Sequence, residues 1–241
     1  MSISPSPWSW TPSAFWDGHN GLWNTFEVRV GTPPQAFRVI PYTAEQDLWV
    51  VHPDGCLPED PAECAYDRGA LPFQDANSTG FQSNESSTWA PVGIYTLSPH
   101  GERMGYTGNG DFGLDVVALG ESGADELELP GQVVAAIADK DYFLGHFGLG
   151  ALPSNFTSFN DPASNYLATL ADRKIIPSLS YGYTAGAAWR ERAPASLTLD
   201  GYDANRLNFS DVSFRLVEEE SNRFLQVGVQ NVRLTKLFAV Q

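Results

Sequence analysis

From Phe26 the chain alternates: Phe26, Val28 and Val30 are apolar, polar residues stand between them, and the run stops at Gly31. A period of two marks a strand with one face in a core. Two more strand-like runs fill 36–51, on either side of Tyr42-Thr43-Ala44. Residues 94–97 and 103–107 lead to Asn109-Gly110, a dipeptide suited to the positive φ angles of a type I′ hairpin turn. Further strands are predicted over 115–119, 132–138, 179–183, 196–199, 212–216 and 225–234. One helix is predicted over 162–174, where Leu167, Leu170 and Ala171 share a face and basic residues suit its last turn. The stretch 55–89 reads as a long polar loop, and the Ser/Pro/Trp-rich residues 1–15 as irregular. Many short strands separated by turn signals predict an all-β barrel or sandwich.

Charge narrows the partners. The 241 residues carry 14 Lys and Arg against 29 Asp and Glu, a net charge of −15. Nucleic acid binding needs clustered cations to displace counterions, and an anionic membrane surface needs them too. Neither partner is expected. The longest aliphatic run, 133–138, is far too short to span a bilayer. No signal peptide is visible at the start, so any leader or anchor is expected outside this segment.

Two cysteines, Cys56 and Cys64, bracket a short Pro-containing loop. Closed as a disulfide, a loop of this size gains roughly 2.5 kcal/mol from lost chain entropy. A zinc cluster with His52 is the other reading, but H-x3-C-x7-C fits no structural zinc pattern and no fourth ligand is evident. Four N-x-[ST] sequons, at Asn77, Asn84, Asn155 and Asn208, together with the paired cysteines point to the secretory pathway and the extracellular space.

Motifs with better-known chemistry lead nowhere. Gly108-Asn-Gly-Asp-Phe-Gly113 matches G-x-G-x-x-G, yet a β pattern follows it where a dinucleotide site needs a helix N-terminus. His19, His52, His100 and His146 are scattered, without ligand spacing, and read as surface or packing residues. No G-x-S-x-G elbow occurs. No cofactor and no metal are expected.

One window is specific. Residues 31–50 read GTPPQAFRVIPYTAEQDLWV, which resembles the opening of pepsin-like aspartic peptidases (family A1), G-T-P-x-Q-x-F-x-V, two residues, then D-T-G-S-S-x-L-W-V. Other pieces follow in the family's order. The segment from Cys56 to Cys64 is similar to the family's small disulfide loop, and FQSNESSTW (81–89) to F-x-P-x-x-S-S-T-W. Residues 105–119 resemble the flap hairpin and the G-x-D-x-V strand after it. FLGHFGLG (143–150) resembles the hydrophobic-hydrophobic-Gly element, and SLTLDGYD (196–203) the strand closing the N-terminal lobe. The resemblance covers roughly residues 20–235. It implies an all-β, pepsin-like barrel lobe with one or two short helices over 20–203, preceded by an irregular lead-in over 1–19. Residues 204–241 then correspond to interlobe strands and the start of a C-terminal lobe.

The resemblance also shows what is changed. Tyr42 stands where the family has its first catalytic Asp; Thr43 is kept, Ala44 replaces Gly, and Glu45 and Gln46 replace two Ser. Aspartic catalysis uses two carboxylates sharing one proton. A phenol with an ordinary pKa of about 10 is no base at acidic or neutral pH. No D-[ST]-G occurs in the chain; Glu121-Ser-Gly123 lies in a turn, and Glu45 lies three residues past the required position. Tyr106 is the flap candidate, or else a cross-strand packing residue. Trp49 is expected in the core beneath the active-site strand. The leading expectation is a secreted or cell-surface pseudopeptidase whose groove holds an extended peptide, or whose partner is a C-terminal lobe. The alternatives are the N-terminal half of an aspartic-type endopeptidase and a structural extracellular module.

Overall fold

In a computed structural model, which describes residues 6–97, 102, 105–120, 126–156, 162–206 and 213, the alternating run at Phe26 becomes β3 (Trp23–Val30). Phe26, Val28 and Val30 are wholly buried, as their period requires. Strand β4 (Gln35–Tyr42) pairs with it antiparallel. Strand β5 (Leu48–Val51) is buried at all four positions, so its sequence is solidly apolar instead of alternating.

Consecutive strands β4 and β5 are not neighbours. Strand β9 (Gly145–Gly148) enters between them, parallel to β4 and antiparallel to β5. The insertion depends on glycine. A Cβ at Gly145 would meet the Trp49 carbonyl oxygen at 2.4 Å, and one at Gly148 the Gln46 carbonyl carbon at 2.3 Å. Strand β8 (Leu127–Ile137) then pairs parallel with β5, and β7 (Asn109–Leu119) antiparallel with β8. Residues 117–119 of β7 return to β3, so β3, β4, β9, β5, β8 and β7 close into a ring. Strands β2 (Pro12–Asp17) and β6 (Ala90–Thr96) lie at the two ends of the order. A smaller sheet joins β1 (Trp8–Trp10), β11 (Ser196–Leu199) and β10 (Tyr181–Thr184). Two short helices, α1 (Cys64–Asp67) and α2 (Tyr166–Asp172), complete an all-β lobe.

Four sequence expectations need correction. Residues 1–15 are not an irregular lead-in where they are described: β1 pairs with β11 and β2 with β3. Trp10 is buried against Phe26 and Phe147, at 5.0 and 4.9 Å between ring centroids, and its indole N–H donates to the Glu27 carbonyl. A three-residue strand is too short to show a period, so its aromatic anchors were the only signal. Asn109-Gly110 is not a turn. Asn109 lies opposite Thr96 and Gly110 opposite Tyr95 inside the ladder, and neither has a positive φ. Gly110 is there because a Cβ would press on Leu97 at 2.7 Å.

The helix is shorter than predicted, because the Asn165 side chain caps it by accepting from the Ala168 N–H at 2.7 Å. Arg173 and Lys174 fall just past its end. The polar stretch 55–89 is ordered around Arg68, a buried guanidinium that donates to the carbonyls of Gly55, Ala138, Asp139, Tyr142 and Phe143. The strands predicted over 212–216 and 225–234 lie outside the described residues, Ser213 apart.

Candidate functional site

Strand β4 delivers Tyr42 to the end of the barrel, and the turn after it is clasped by β9. The N–H groups of Leu149, Gly148 and Gly150 donate to the carbonyls of Tyr42, Asp47 and Glu45, at 2.8, 3.0 and 2.8 Å. Tyr42 is half-buried, Thr43 exposed and Ala44 half-buried. The Tyr42 ring stacks on His146 of β9, 4.3 Å between centroids and 25° between planes. His146 stacks in turn on Trp49 at 5.1 Å. Three strands that alternate in space thus contribute one pile of rings, and Trp49 is fully buried beneath it.

Burial sets the protonation of this pile. The Tyr42 phenol is pushed above its ordinary value by desolvation, with the Glu45 carboxylate and Tyr106 adding to the effect. The His146 imidazole is pulled down to about 4 by burial, and its Nδ1 has no hydrogen-bond partner. At neutral pH both rings are uncharged.

Above the pile lies a cavity of about 340 Å³. Tyr42, Thr43 and Tyr106 all line it, as do Tyr142 and Tyr183. Tyr106 precedes β7, in the connection from β6, so it is not a cross-strand pair. Its ring meets Tyr142 edge-on at 5.7 Å. Ala44 and Glu45 do not line the cavity, although Glu45 is close enough to act on Tyr42 electrostatically. This wall can stack, exclude water and offer hydrogen bonds; it brings no pair of carboxylates together among the described residues.

Other predicted positions lie elsewhere. Cys56 and Cys64 form a disulfide, which removes the zinc reading with His52. His52 Nδ1 instead accepts from the Asp54 N–H at 3.1 Å. Among the described residues no three His, Cys, Asp or Glu side chains gather as a metal site. Asn77, Asn84 and Asn155 are exposed, and Asn208 lies outside the described residues. No helix among the described residues is long and apolar enough to cross a membrane.

Sequence reasoning missed His146, Tyr142 and Tyr183 as members of one wall. The signal for His146 was its place in the glycine-flanked run 143–150, whose close approach to β4 and β5 puts its side chain beside Tyr42. Asp47 was missed as well. It is buried, accepts from the Ser154 hydroxyl, and has a carboxyl raised to about 6 by desolvation, with Ser154 opposing the rise.

A family model described as eukaryotic aspartyl protease matches residues 25–239. No curated protein matches the chain. With that match running through nearly all of its length, the chain belongs to the eukaryotic aspartyl protease family.

Proposed function

We propose that this domain is a secreted or cell-surface pseudopeptidase that holds an extended peptide without cutting it. One observation carries the reading: Tyr42, at the position of the family's first catalytic Asp, is a protonated phenol stacked into an aromatic wall. Hydrolysis by this family's chemistry needs one carboxylate to take a proton from water while its partner stays protonated. Loss of a general base alone lowers the rate by about 10²–10⁴. Tyr106, the flap candidate, lines the same cavity. A peptide laid there would use main-chain hydrogen bonds for affinity and the cavity for one side chain. The disulfide and the three exposed sequons support an oxidising, extracellular setting.

Family membership favours a second reading, that the chain is the N-terminal half of an aspartic-type endopeptidase. The test separates the two. The protein is incubated between pH 3 and 7 with a diverse peptide pool, and retained peptides and newly formed termini are read by mass spectrometry. Retained, uncut peptides are expected. New termini that disappear with a statine-type inhibitor would establish the endopeptidase. A protein that neither retains nor cuts any peptide is a structural module.

A further inference from the structure

The cavity above the ring pile has a composition that a simple apolar subsite does not need. Trp23, Tyr42, Tyr106, Tyr142, Phe143 and Tyr183 all line it. The faces of tyrosine and tryptophan are electron-rich and attract cations within about 6 Å of the ring centre. Asp141, an exposed carboxylate, also lines the cavity, and no described lysine or arginine does. Two histidines line it as well: His146 in its floor, held neutral by burial, and the exposed His19, whose ring packs on Phe143 at 4.9 Å. The Trp23 ring is fixed by its N–H bond to Asn20 Oδ1 at 3.0 Å. Tyr42 is fixed by stacking on His146, and Tyr106 by its edge contact with Tyr142. The rings are therefore placed before any ligand arrives, which lowers the ordering cost of binding. A volume of about 340 Å³ accepts a long side chain with room to spare.

We infer that this cavity is a subsite for a positively charged side chain, arginine above all, of a bound peptide. An acidic or phosphorylated side chain would meet Asp141 and a chain of net charge −15. A neutral aliphatic side chain would gain burial but forgo the ring faces and the carboxylate. Guanidinium gains all three, because its plane stacks on aromatic rings while its N–H groups reach a carboxylate. For the ligand's backbone this inference rests on the peptide-binding reading above; for the side chain it stands on the cavity.

The test uses two probes too short for strand pairing, N-acetyl-arginine N-methylamide and its citrulline counterpart, which has nearly the same shape without the charge. Each is titrated into the whole chain by NMR at pH 8, where histidine carries no charge. The arginine probe is expected to bind at least tenfold tighter than the citrulline probe. Tyr106→Leu should weaken the arginine probe at least fivefold and Asp141→Asn about threefold, with the citrulline probe unmoved by either. Equal affinity for the two probes, no binding of the arginine probe, or tighter binding of leucine and phenylalanine counterparts overturns the inference. Heptapeptides with a central arginine then test the groove. If they bind no better than the single residue, the peptide-binding reading fails while the cation subsite stands. If peptides bind equally well whatever their central residue, the groove stands and the cation subsite falls.

Discussion

Asp115 and Tyr42 both fall within motifs that this chain shares with its family, and their surroundings could hardly differ more. Asp115 of β7 is buried, and its carboxylate accepts three hydrogen bonds. The hydroxyls of Ser86 and Thr88 donate to it at 2.8 and 2.5 Å, and the Val116 N–H donates at 2.8 Å. Ser86 also accepts from the Thr32 N–H at 3.1 Å, so one carboxylate ties two segments of the chain, around Thr32 and Ser86–Thr88, to the barrel. The Tyr42 side chain touches rings, and the residue's polar hold on β9 runs through its backbone. The first region keeps a carboxyl side chain because the fold needs an acceptor there. The second carries an aromatic ring, which stacking on His146 holds in place. The buried carboxylate is held by hydrogen bonds and the half-buried ring by stacking, so the two positions answer to different constraints.

The largest effect expected from this contrast is on the Asp115 side. Asp115→Ala removes the carboxylate shared by three donors, the buried Ser86 hydroxyl among them, and should cost about 4 kcal/mol in urea unfolding. A cost below about 1 kcal/mol would mean that the Ser86–Thr88 segment is held by other contacts, and the contrast with Tyr42 would lose its basis.

The next effects are pH-dependent and of opposite sign. Asp47, raised to about 6, binds its proton more tightly folded than unfolded, so its contribution is full below the ordinary carboxylate range and is lost as pH rises to about 6. His146, lowered to about 4, stays neutral in the fold while the unfolded chain takes up a proton. Its contribution is full above the ordinary histidine value and is lost as pH falls toward about 4. Between pH 4 and 6 the two slopes oppose each other, each worth about 3 kcal/mol across its window. Asp47→Asn should therefore expose a rise in stability with pH, and His146→Phe a fall. Urea midpoints at pH 4 and 6.5 for the three proteins measure both. If either variant keeps the slope of the parent, the residue concerned is solvated and its burial is not what shifts it.

Much of this was legible in the chain, and the gaps have physical causes. The alternation from Phe26 to Val30 located β3, and the window 31–50 carried the resemblance to the family and drew attention to Tyr42. Ser196–Leu199 was placed to the residue. What failed were features decided by contacts distant in sequence. Trp10 finds its partners at Phe26 and Phe147, and no local pattern foretells that a Ser/Pro-rich start becomes two strands. Asn109-Gly110 carries a turn signature that the ladder overrides, since Gly110 is selected for closeness to Leu97 and not for a positive φ. Arg68 looks like any loop cation until the carbonyls of residues 138–143 close around it. The cavity wall draws on β3, β4, β9, β10 and the loops around residues 18–20, 106 and 141–144, so its aromatic character is spread over most of the chain and invisible in any one stretch.

Substitutions at Tyr42 itself give the smallest effects and the finest test. Tyr42→Asp puts a second carboxylate near Glu45 against uncharged, stacked rings. That should cost about 2 kcal/mol at pH 7 and less in acid, where the new group is protonated and the desolvation cost vanishes. Tyr42→Phe keeps the stacking face and removes only the hydroxyl. It should change stability by no more than about 0.5 kcal/mol and leave arginine-probe binding within about twofold, because the ring face and not the O–H makes the contact. Unfolding curves and probe titrations on the same samples check both together. If Tyr42→Phe lost binding while keeping stability, the phenol hydroxyl would be a ligand contact. The position would then have exchanged one polar function for another, instead of trading chemistry for packing.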